Sequence, residues 1–283
     1  MELLSNTNIL YQGIDANWKP YATDSLNILL CDHHCIGTVF DKTLQKFVVL
    51  KSFYAQDSGI FLEESWLLEN FPYLRTLNTT FYYSHSKQTI VPSALFNEEM
   101  QASFLTLNYT LPEGSNIYSA YIKNLSAHLV YADDIGIYKL LKAKFPDSAI
   151  YHSAVGWLEY LSLLSKNDET NNMFIDIEYN KIDIAYFSKG ALQLFNSFPC
   201  NTDEDRLYYT LFVSEQLKAN PNKENYFVSG LVSKESETIN LFNKYLKNLK
   251  LNEAPSQFRY SLPVMTLPQH LFLKSFCSPL CVS

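Results

Sequence analysis

The most compact group of potential metal ligands in this sequence is the run Cys31-Asp32-His33-His34-Cys35. Cysteine and histidine are the usual protein ligands of zinc. The spacing argues against a zinc site, because neighbouring residues of an extended chain point to opposite faces. No second group of cysteine and histidine residues has ligand spacing either. We therefore predict no metal site here, with Cys31 in the core and a turn at His33-His34.

Carboxylates are the second group of residues that could do chemistry. Asp32, Glu178 and the pair Asp133-Asp134 could hold two metal ions, as a nuclease requires. However, Asp133-Asp134 precedes a predicted helix, where carboxylates stabilise the N-terminus without catalysing anything. The net charge of −7 also opposes a nucleic-acid substrate. The Gly-x-Ser-x-Gly and P-loop patterns are absent. The sequence thus favours neither a nuclease nor a nucleophilic hydrolase.

Two aspartates occupy similar places in two similar modules, residues 28–53 and 173–198. Asp32 and Asp176 each close an apolar run and open a short polar turn. Later in the modules, Leu44-Gln45 is matched by Leu192-Gln193 at nearly the same separation. Self-similarity at a nearly constant separation indicates an internal duplication. We therefore expect a chain of two related halves.

Each module predicts a three-stranded β-meander. The strand pattern is clearest where Ile182 and Ile184 alternate with Asp183 and Ala185. The predicted strands are residues 26–32, 35–41 and 44–53 in the first half, and 172–177, 180–187 and 190–198 in the second.

Helices and strands alternate after each meander. Thr202 and Ser233 are predicted N-caps in the second half. The first half carries an insertion at about residues 77–122, and the polar stretch 165–172 is the predicted linker. We predict a first half over residues 1–165 and a second over 166–283, whose apolar C-terminal segment returns to pack on the first.

Composition places the chain among folded proteins of a reducing compartment. Of its 283 residues, 47% are hydrophobic, which is enough for a sizeable core. The apolar runs are too short to span a membrane, and the charge distribution lacks the basic stripe of a nucleic-acid-binding protein. The five cysteines are odd in number and lack disulfide-scaffold spacing. We expect a cytoplasmic protein without membrane insertion or nucleic-acid partner.

Three strands followed by alternating helices and strands, twice over, resemble the α/β actin-like ATPase superfamily, in which each half has a ribonuclease H-like fold. The pattern is most similar to an uncharacterised bacterial family with an actin-like ATPase motif and to the actin-like proteins of pilus assembly. The resemblance implies two ribonuclease H-like halves.

The resemblance also implies a site. In this superfamily the turn after the first strand of each half wraps the nucleotide phosphates. Asp32 and Asp176 then correspond to the catalytic aspartates around Mg-ATP. The implied cofactor-binding residues are those of the two turns and of an adenosine-side loop, namely His33, His34, Glu178, Ser229 and Gly230.

The sequence departs from that pattern at the phosphate turns. Neither turn contains glycine, although only small residues let the backbone close around a phosphate. Glu178 would also place a carboxylate beside the phosphates. We therefore predict a non-catalytic binding or scaffolding protein, a pseudo-ATPase, with an unidentified protein partner. The alternative is a weak Mg-dependent ATP-binding protein or ATPase.

Overall fold

The computed structural model describes residues 7–133 and 136–282. The strands are β1 (Thr7–Ile14), β2 (Ser25–Leu30), β3 (His34–Asp41), β4 (Lys46–Ala55), β5 (Asn78–Tyr83), β6 (Gln88–Pro92), β7 (Asn116–Ile122), β8 (Ala127–Asp133), β9 (Ala149–His152), β10 (Asn171–Ile177), β11 (Lys181–Ser188), β12 (Ala191–Pro199), β13 (Asn225–Gly230), β14 (Asn248–Leu251) and β15 (Arg259–Tyr260). The α-helices are α1 (Glu64–Asn70), α2 (Gln101–Thr106), α3 (Ile137–Lys144), α4 (Ala154–Ser165), α5 (Asp203–Gln216), α6 (Glu237–Tyr245), α7 (Leu262–Met265) and α8 (Leu273–Phe276).

The chain divides into two compact units that are discontinuous in sequence. The first contains the described residues of Met1–Ser84, Asp133–Gly156 and Ala254–Ser283, and the second contains His85–Ala132 and Trp157–Glu253. The predicted halves, residues 1–165 and 166–283, follow the duplication instead, and their boundary stays a prediction. None of the helices in the described part of the chain is long and apolar enough to cross a membrane.

The sheet of the first unit has the strand order β1-β4-β3-β2-β5-β9, with β15 also paired to β4. Strands β2, β3 and β4 form an antiparallel meander, whereas β5 and β9 continue the sheet in parallel to β2. Every residue of β2 and β3 is buried. Strands covered on both faces are expected to be mostly apolar. The residues of the first meander have this composition.

The second unit repeats the same order as β12-β11-β10-β13-β14. The registers of β10 with β11 and with β13 match those of β2 with β3 and with β5. Leu30 pairs with Cys35 and Tyr83 in the first unit, and Ile177 pairs with Ile182 and Gly230 in the second. The three paired positions are therefore spaced identically along the chain in the two units. Both predicted three-stranded meanders are confirmed.

The two repeats are the strands β2, β3, β4, β5 and β9 and the strands β10, β11, β12, β13 and β14. The first repeat contains an additional segment between β5 and β9. Thr80 on β5 pairs with Ala149 on β9, whereas the equivalent Phe227 on β13 pairs with the much nearer Lys250 on β14. Much of the additional segment forms the small sheet β6-β8-β7, which packs with α2 around a core of Val91, Leu105, Val130 and Ala132. The predicted insertion begins earlier, at about residue 77, and so includes β5, which belongs to the first sheet.

The predicted helix caps are right in one case and wrong in the other. Thr202 accepts a hydrogen bond from the Asp205 amide, and the Asp205 side chain accepts one from the Thr202 amide, which completes a capping box at α5. Helix α6 is capped by Ser236, not by Ser233. The reason is a turn that comes first, in which the Ser236 amide donates to the Ser233 carbonyl.

The C-terminal segment completes the core of the first unit. Strand β15 adds to β4 in parallel, and Phe258, Val264, Phe272 and Phe276 share a hydrophobic cluster with Phe47 and other residues of the sheet. The rings of Phe276 and Phe47 have centroids 4.9 Å apart. The aromatic side chains of this segment are therefore part of the core of the first unit.

We expect Phe276→Ala to lower the free energy of unfolding by about 3–5 kcal/mol, because a fully buried aromatic side chain leaves a cavity when removed. Phe276 is 0% exposed, whereas Met265 of the same segment is 56% exposed. Met265→Ala is therefore the matched control, with a change within about 0.5 kcal/mol. Denaturant unfolding measures both. An equal, small loss in the two variants would contradict the packing of this segment.

Candidate functional site

A row of polar side chains crosses the second sheet near the carboxyl end of β10. Asp176 on β10 lies opposite Ser229 on β13 and opposite Asp183 on β11. Asp183 in turn lies opposite Ser197 on β12. The neighbouring positions Ile175 and Ile177 belong to the hydrophobic core cluster. Because side chains alternate along a strand, the polar row and that core lie on opposite faces of the sheet.

Hydrogen bonds connect this row laterally. Ser229 Oγ donates to Asp176 Oδ1 at 2.8 Å, and Ser197 Oγ donates to Asp183 Oδ1. From the small sheet of the same unit, Gln88 Nε2 donates to Ser197 Oγ at 2.6 Å. Serine thus holds a defined oxygen of each aspartate.

Lys181 places a buried cation next to these carboxylates. Its Nζ lies 2.8 Å from Asp183 Oδ1 and 3.4 Å from Glu178 Oε1. Asp176, Glu178 and Asp183 each offer a carboxylate oxygen, and these oxygens lie within 4.8 Å of one another. The exposed fractions are 3% for Asp176, 7% for Glu178, 5% for Lys181 and 0% for Asp183. We call Asp176, Glu178, Asp183 and Lys181 the β10–β11 charge cluster.

Tyr109 lies at the edge of the charge cluster. Its hydroxyl is 3.2 Å from the Gln88 carbonyl oxygen and 3.1 Å from Asn196 Oδ1. Burial raises the pKa of Tyr109 and the Asp183 carboxylate adds to the rise, while the hydrogen bond to Gln88 and the charge of Lys181 oppose it. The phenol therefore stays protonated and acts as a hydrogen-bond donor at neutral pH.

The predicted adenosine-side residues lie beside Asp176. Ser229 is its hydrogen-bond partner, and Gly230 ends β13 with a φ of +87°. A Cβ atom at Gly230 would come within 2.1 Å of the Ile177 carbonyl oxygen. That oxygen accepts a hydrogen bond from the Leu231 amide at 2.7 Å. Glycine is therefore required for the close approach of two backbone segments of this sheet.

The turn of the first unit differs in character. Asp32 is exposed, and His34 is buried. The Cys31 amide donates to the His34 carbonyl at 2.9 Å, and the His34 amide donates back at 3.4 Å. His33 Nδ1 lies 3.0 Å from the Ala55 carbonyl oxygen. The amides of Cys31 and His34 thus close a hairpin. The joint action of Asp32 and Asp176 around one nucleotide stays a prediction.

The observed registers change which residues of the two repeats correspond. Because Leu30 and Ile177 have equivalent pairing partners, Asp176 corresponds to Leu29, and Asp32 corresponds to Tyr179. The pairing of Asp32 with Asp176 by sequence similarity was out of register. Leu29 is buried in the core cluster of the first unit. The repeats therefore differ in chemistry at this position, and only the second has a carboxylate there.

Asp133 has a structural role. Its two carboxylate oxygens accept hydrogen bonds from the amides of Ile137 at 3.0 Å and Tyr138 at 2.9 Å, in the first turn of α3. This matches the expected stabilisation of a helix N-terminus by a carboxylate. Asp134 lies outside the described residues.

Four members of this site were not predicted from the sequence, namely Lys181, Asp183, Ser197 and Gln88. One signal was available, since Asp183 interrupts an apolar strand and a charge in such a strand is rarely buried without a partner. The role of Gln88 could not be predicted, because its partner Ser197 is 109 residues away in sequence.

Solved structures share this architecture. A protein from Bacteroides thetaiotaomicron VPI-5482, described as having an actin-like ATPase fold and unknown function, is 20% identical with a TM-score of 0.70, over 86% of this chain and 92% of that chain. A chain of the PilM–PilN type IV pilus biogenesis complex is 10% identical with a TM-score of 0.61, over 93% of this chain and 100% of that chain. The predicted actin-like ATPase fold is confirmed.

The chain also matches a protein family by sequence. The family described as "Protein of unknown function (DUF3822)" matches residues 20–249. None of the curated proteins matches this chain.

We expect Gly230→Ala to destabilise the protein more than Gly136→Ala does. Both glycines have positive φ, +87° and +75°, which costs a residue with a Cβ about 1–2 kcal/mol. Only Gly230 would add a clash, because nothing lies within 4 Å of a Cβ at Gly136. Thermal or denaturant unfolding of both variants measures the difference. Equal losses would mean that the contact between Gly230 and Ile177 is looser than described.

Proposed function

This chain belongs to the family described as Protein of unknown function (DUF3822), and from that premise we propose that it is a non-catalytic binding or scaffolding protein of the cytoplasm. It has an actin-like ATPase fold. A fold by itself does not imply the activity of other proteins that share it. The proposal therefore depends on the residues at the carboxyl ends of β10 and β13.

The observation that carries the proposal is the β10–β11 charge cluster. In open α/β sheets, ligands bind beyond the carboxyl ends of the strands, where the strand order reverses. In the second unit that place is between β10 and β13. Here Lys181 is paired with Glu178 and Asp183, and all three side chains are buried. A protein ion pair thus occupies the ends of the strands.

Mg-ATP, the ligand that the fold implies, does not fit these residues. Phosphates are bound by converging backbone amides and by cations. The second turn instead contributes the Glu178 carboxylate, which repels a phosphate, and the amide of Glu178 donates to the Lys181 carbonyl at 2.9 Å. In the first turn, the Cys31 and His34 amides are used by the hairpin. These contacts support a pseudo-ATPase.

The second candidate function is a weak Mg-dependent ATPase that uses Asp32 and Asp176. The hydrogen bond between Ser229 and Asp176 is the observation in its favour, since it fixes a carboxylate at the end of β10. Against it, Asp176 corresponds to Leu29 in the first repeat. A symmetric pair of aspartates, on which the ATPase hypothesis was based, is missing at this register.

Two further observations support the partner and the compartment. One structural relative comes from a complex of two different proteins, PilM and PilN, which favours a protein partner for this chain as well. All five cysteines are thiols. Burial raises the pKa of Cys200 to about 11 and also raises that of Cys35, so both are unreactive core residues. Thiols without disulfides are typical of the cytoplasm.

We expect saturating Mg-ATP to leave the melting temperature unchanged and ATP hydrolysis to stay at background. A ligand present at 100 times its dissociation constant would stabilise the folded state by about 2.7 kcal/mol, which a thermal-shift experiment detects easily. The matched control is Mg²⁺ without nucleotide. A shift with Mg-ATP, together with hydrolysis that disappears in Asp32→Ala and Asp176→Ala, would replace this proposal by the ATPase.

We also expect the folded chain, used as immobilised bait, to retain a specific protein from an extract of its native cells. The control is the same bait after thermal unfolding, because docking onto a folded surface requires the fold whereas non-specific adsorption does not. Quantitative mass spectrometry compares the two. If the folded bait retains nothing beyond what the unfolded bait retains, the scaffolding proposal loses its support.

A further inference from the structure

We infer that the ammonium group of Lys181 takes the place of a divalent cation among Asp176, Glu178 and Asp183, and that removing this side chain converts the β10–β11 charge cluster into a divalent-cation site. The inference deepens the proposed function, on which it rests, by naming the residue that excludes the metal. It concerns what this chain binds without Lys181, and no metal is assigned to the chain as it stands.

Three carboxylate oxygen atoms converge in the charge cluster. Asp176, Glu178 and Asp183 each bring a carboxylate oxygen within 4.8 Å of the other two. Hard divalent cations such as Mg²⁺, Mn²⁺ and Ca²⁺ prefer oxygen ligands, and carboxylates above all. Three converging carboxylates from two adjacent strands and the turn between them are therefore a suitable donor set for such an ion.

The converging carboxylates need a positive charge beside them. Asp176 and Asp183 are directly opposite each other on antiparallel strands, and like charges in that arrangement destabilise a sheet. Both residues are at most 3% exposed, so water screens their repulsion poorly. Pairing with a cation is the common solution for buried carboxylates.

Lys181 supplies this charge from within the same hairpin. Its Nζ contacts Asp183 Oδ1 at 2.8 Å and Glu178 Oε1 at 3.4 Å. The side chain extends from the first residue of β11, and the adjoining turn is fixed by the hydrogen bond from the Glu178 amide to the Lys181 carbonyl. An ammonium group held against these oxygens uses their lone pairs and repels a second cation.

The orientation of the carboxylates does not depend on Lys181 alone. Ser229 holds Asp176, and Ser197, itself held by Gln88, holds Asp183. These hydrogen bonds come from β13, β12 and β6, and so they persist when the lysine side chain is shortened. Oriented ligands are what a metal site requires from its surroundings.

The test compares wild type with Lys181→Ala in Mn²⁺ alone. Lys181→Ala should be less stable than wild type without metal, and Mn²⁺ should raise its melting temperature and show saturable binding by electron paramagnetic resonance. Wild type should show neither effect. Adding Asp183→Asn to Lys181→Ala removes one ligand and should weaken Mn²⁺ binding by about 10–100-fold or more.

The matched control is Lys51→Ala. Lys51 is also a strand lysine with a partly buried side chain, and its pKa is lowered by burial, but its Nζ donates to the Asn70 carbonyl oxygen at 3.0 Å. This variant should lose stability without gaining any response to Mn²⁺. A gain equal to that of Lys181→Ala would overturn the inference, because the effect would not depend on the carboxylates.

Folding failure is also informative. If Lys181→Ala is unfolded without metal and folds when Mn²⁺ is added, the inference is supported. If Lys181→Ala and the milder Lys181→Gln both ignore Mn²⁺, or if wild type binds Mn²⁺ in a way that Asp183→Asn abolishes, the inference is overturned. These outcomes are independent of nucleotide. Failure of the proposed function would appear instead as ATP binding and hydrolysis by wild type.

Discussion

A charged side chain on a strand that is buried on both faces must find its counter-charge inside the protein. This constraint organises the second unit. Asp176 and Asp183 lie on the central strands β10 and β11, and both are shielded from water. The energetic cost of burying such groups is large unless they are paired and hydrogen-bonded. Lys181, Ser229 and Ser197 occupy the positions that satisfy this requirement.

The two repeats share one strand topology but carry chemically different side chains at equivalent positions. Strand β2 pairs with β5 in the same register in which β10 pairs with β13. In the first repeat the position of Asp176 is held by Leu29, which packs with Phe272 and Phe276 of the C-terminal segment in one hydrophobic cluster. The first repeat thus uses this place for its core, and the second uses it for a charge cluster. A duplicated fold does not require a duplicated site.

The charge cluster is also the basis on which we propose that fold and function separate in this chain. The strand order brings the carboxyl ends of β10 and β13 together, as in any sheet of this topology. Whether a ligand can bind there depends on the side chains present. In this protein the ion pairs of Lys181 with Glu178 and Asp183 lie at this end of the sheet. The architecture is that of an actin-like ATPase fold, and the charged side chains at this place are buried and paired with one another.

The sequence by itself determined the class of fold and the local elements. Alternating apolar residues specify the strands, since their period of two follows from backbone geometry, and both meanders and the capping box at Thr202 were readable from neighbouring residues. Only the tertiary structure decided which side chains meet. Ser229 reaches Asp176 across 53 residues, and Gln88 reaches Ser197 across 109. Which residues lie side by side in a sheet depends on strand register. Sequence similarity matched Asp176 to Asp32, but the register shows that Leu29 is the equivalent of Asp176. The physical reason is that periodicity is encoded locally, whereas register is set by the packing of whole strands.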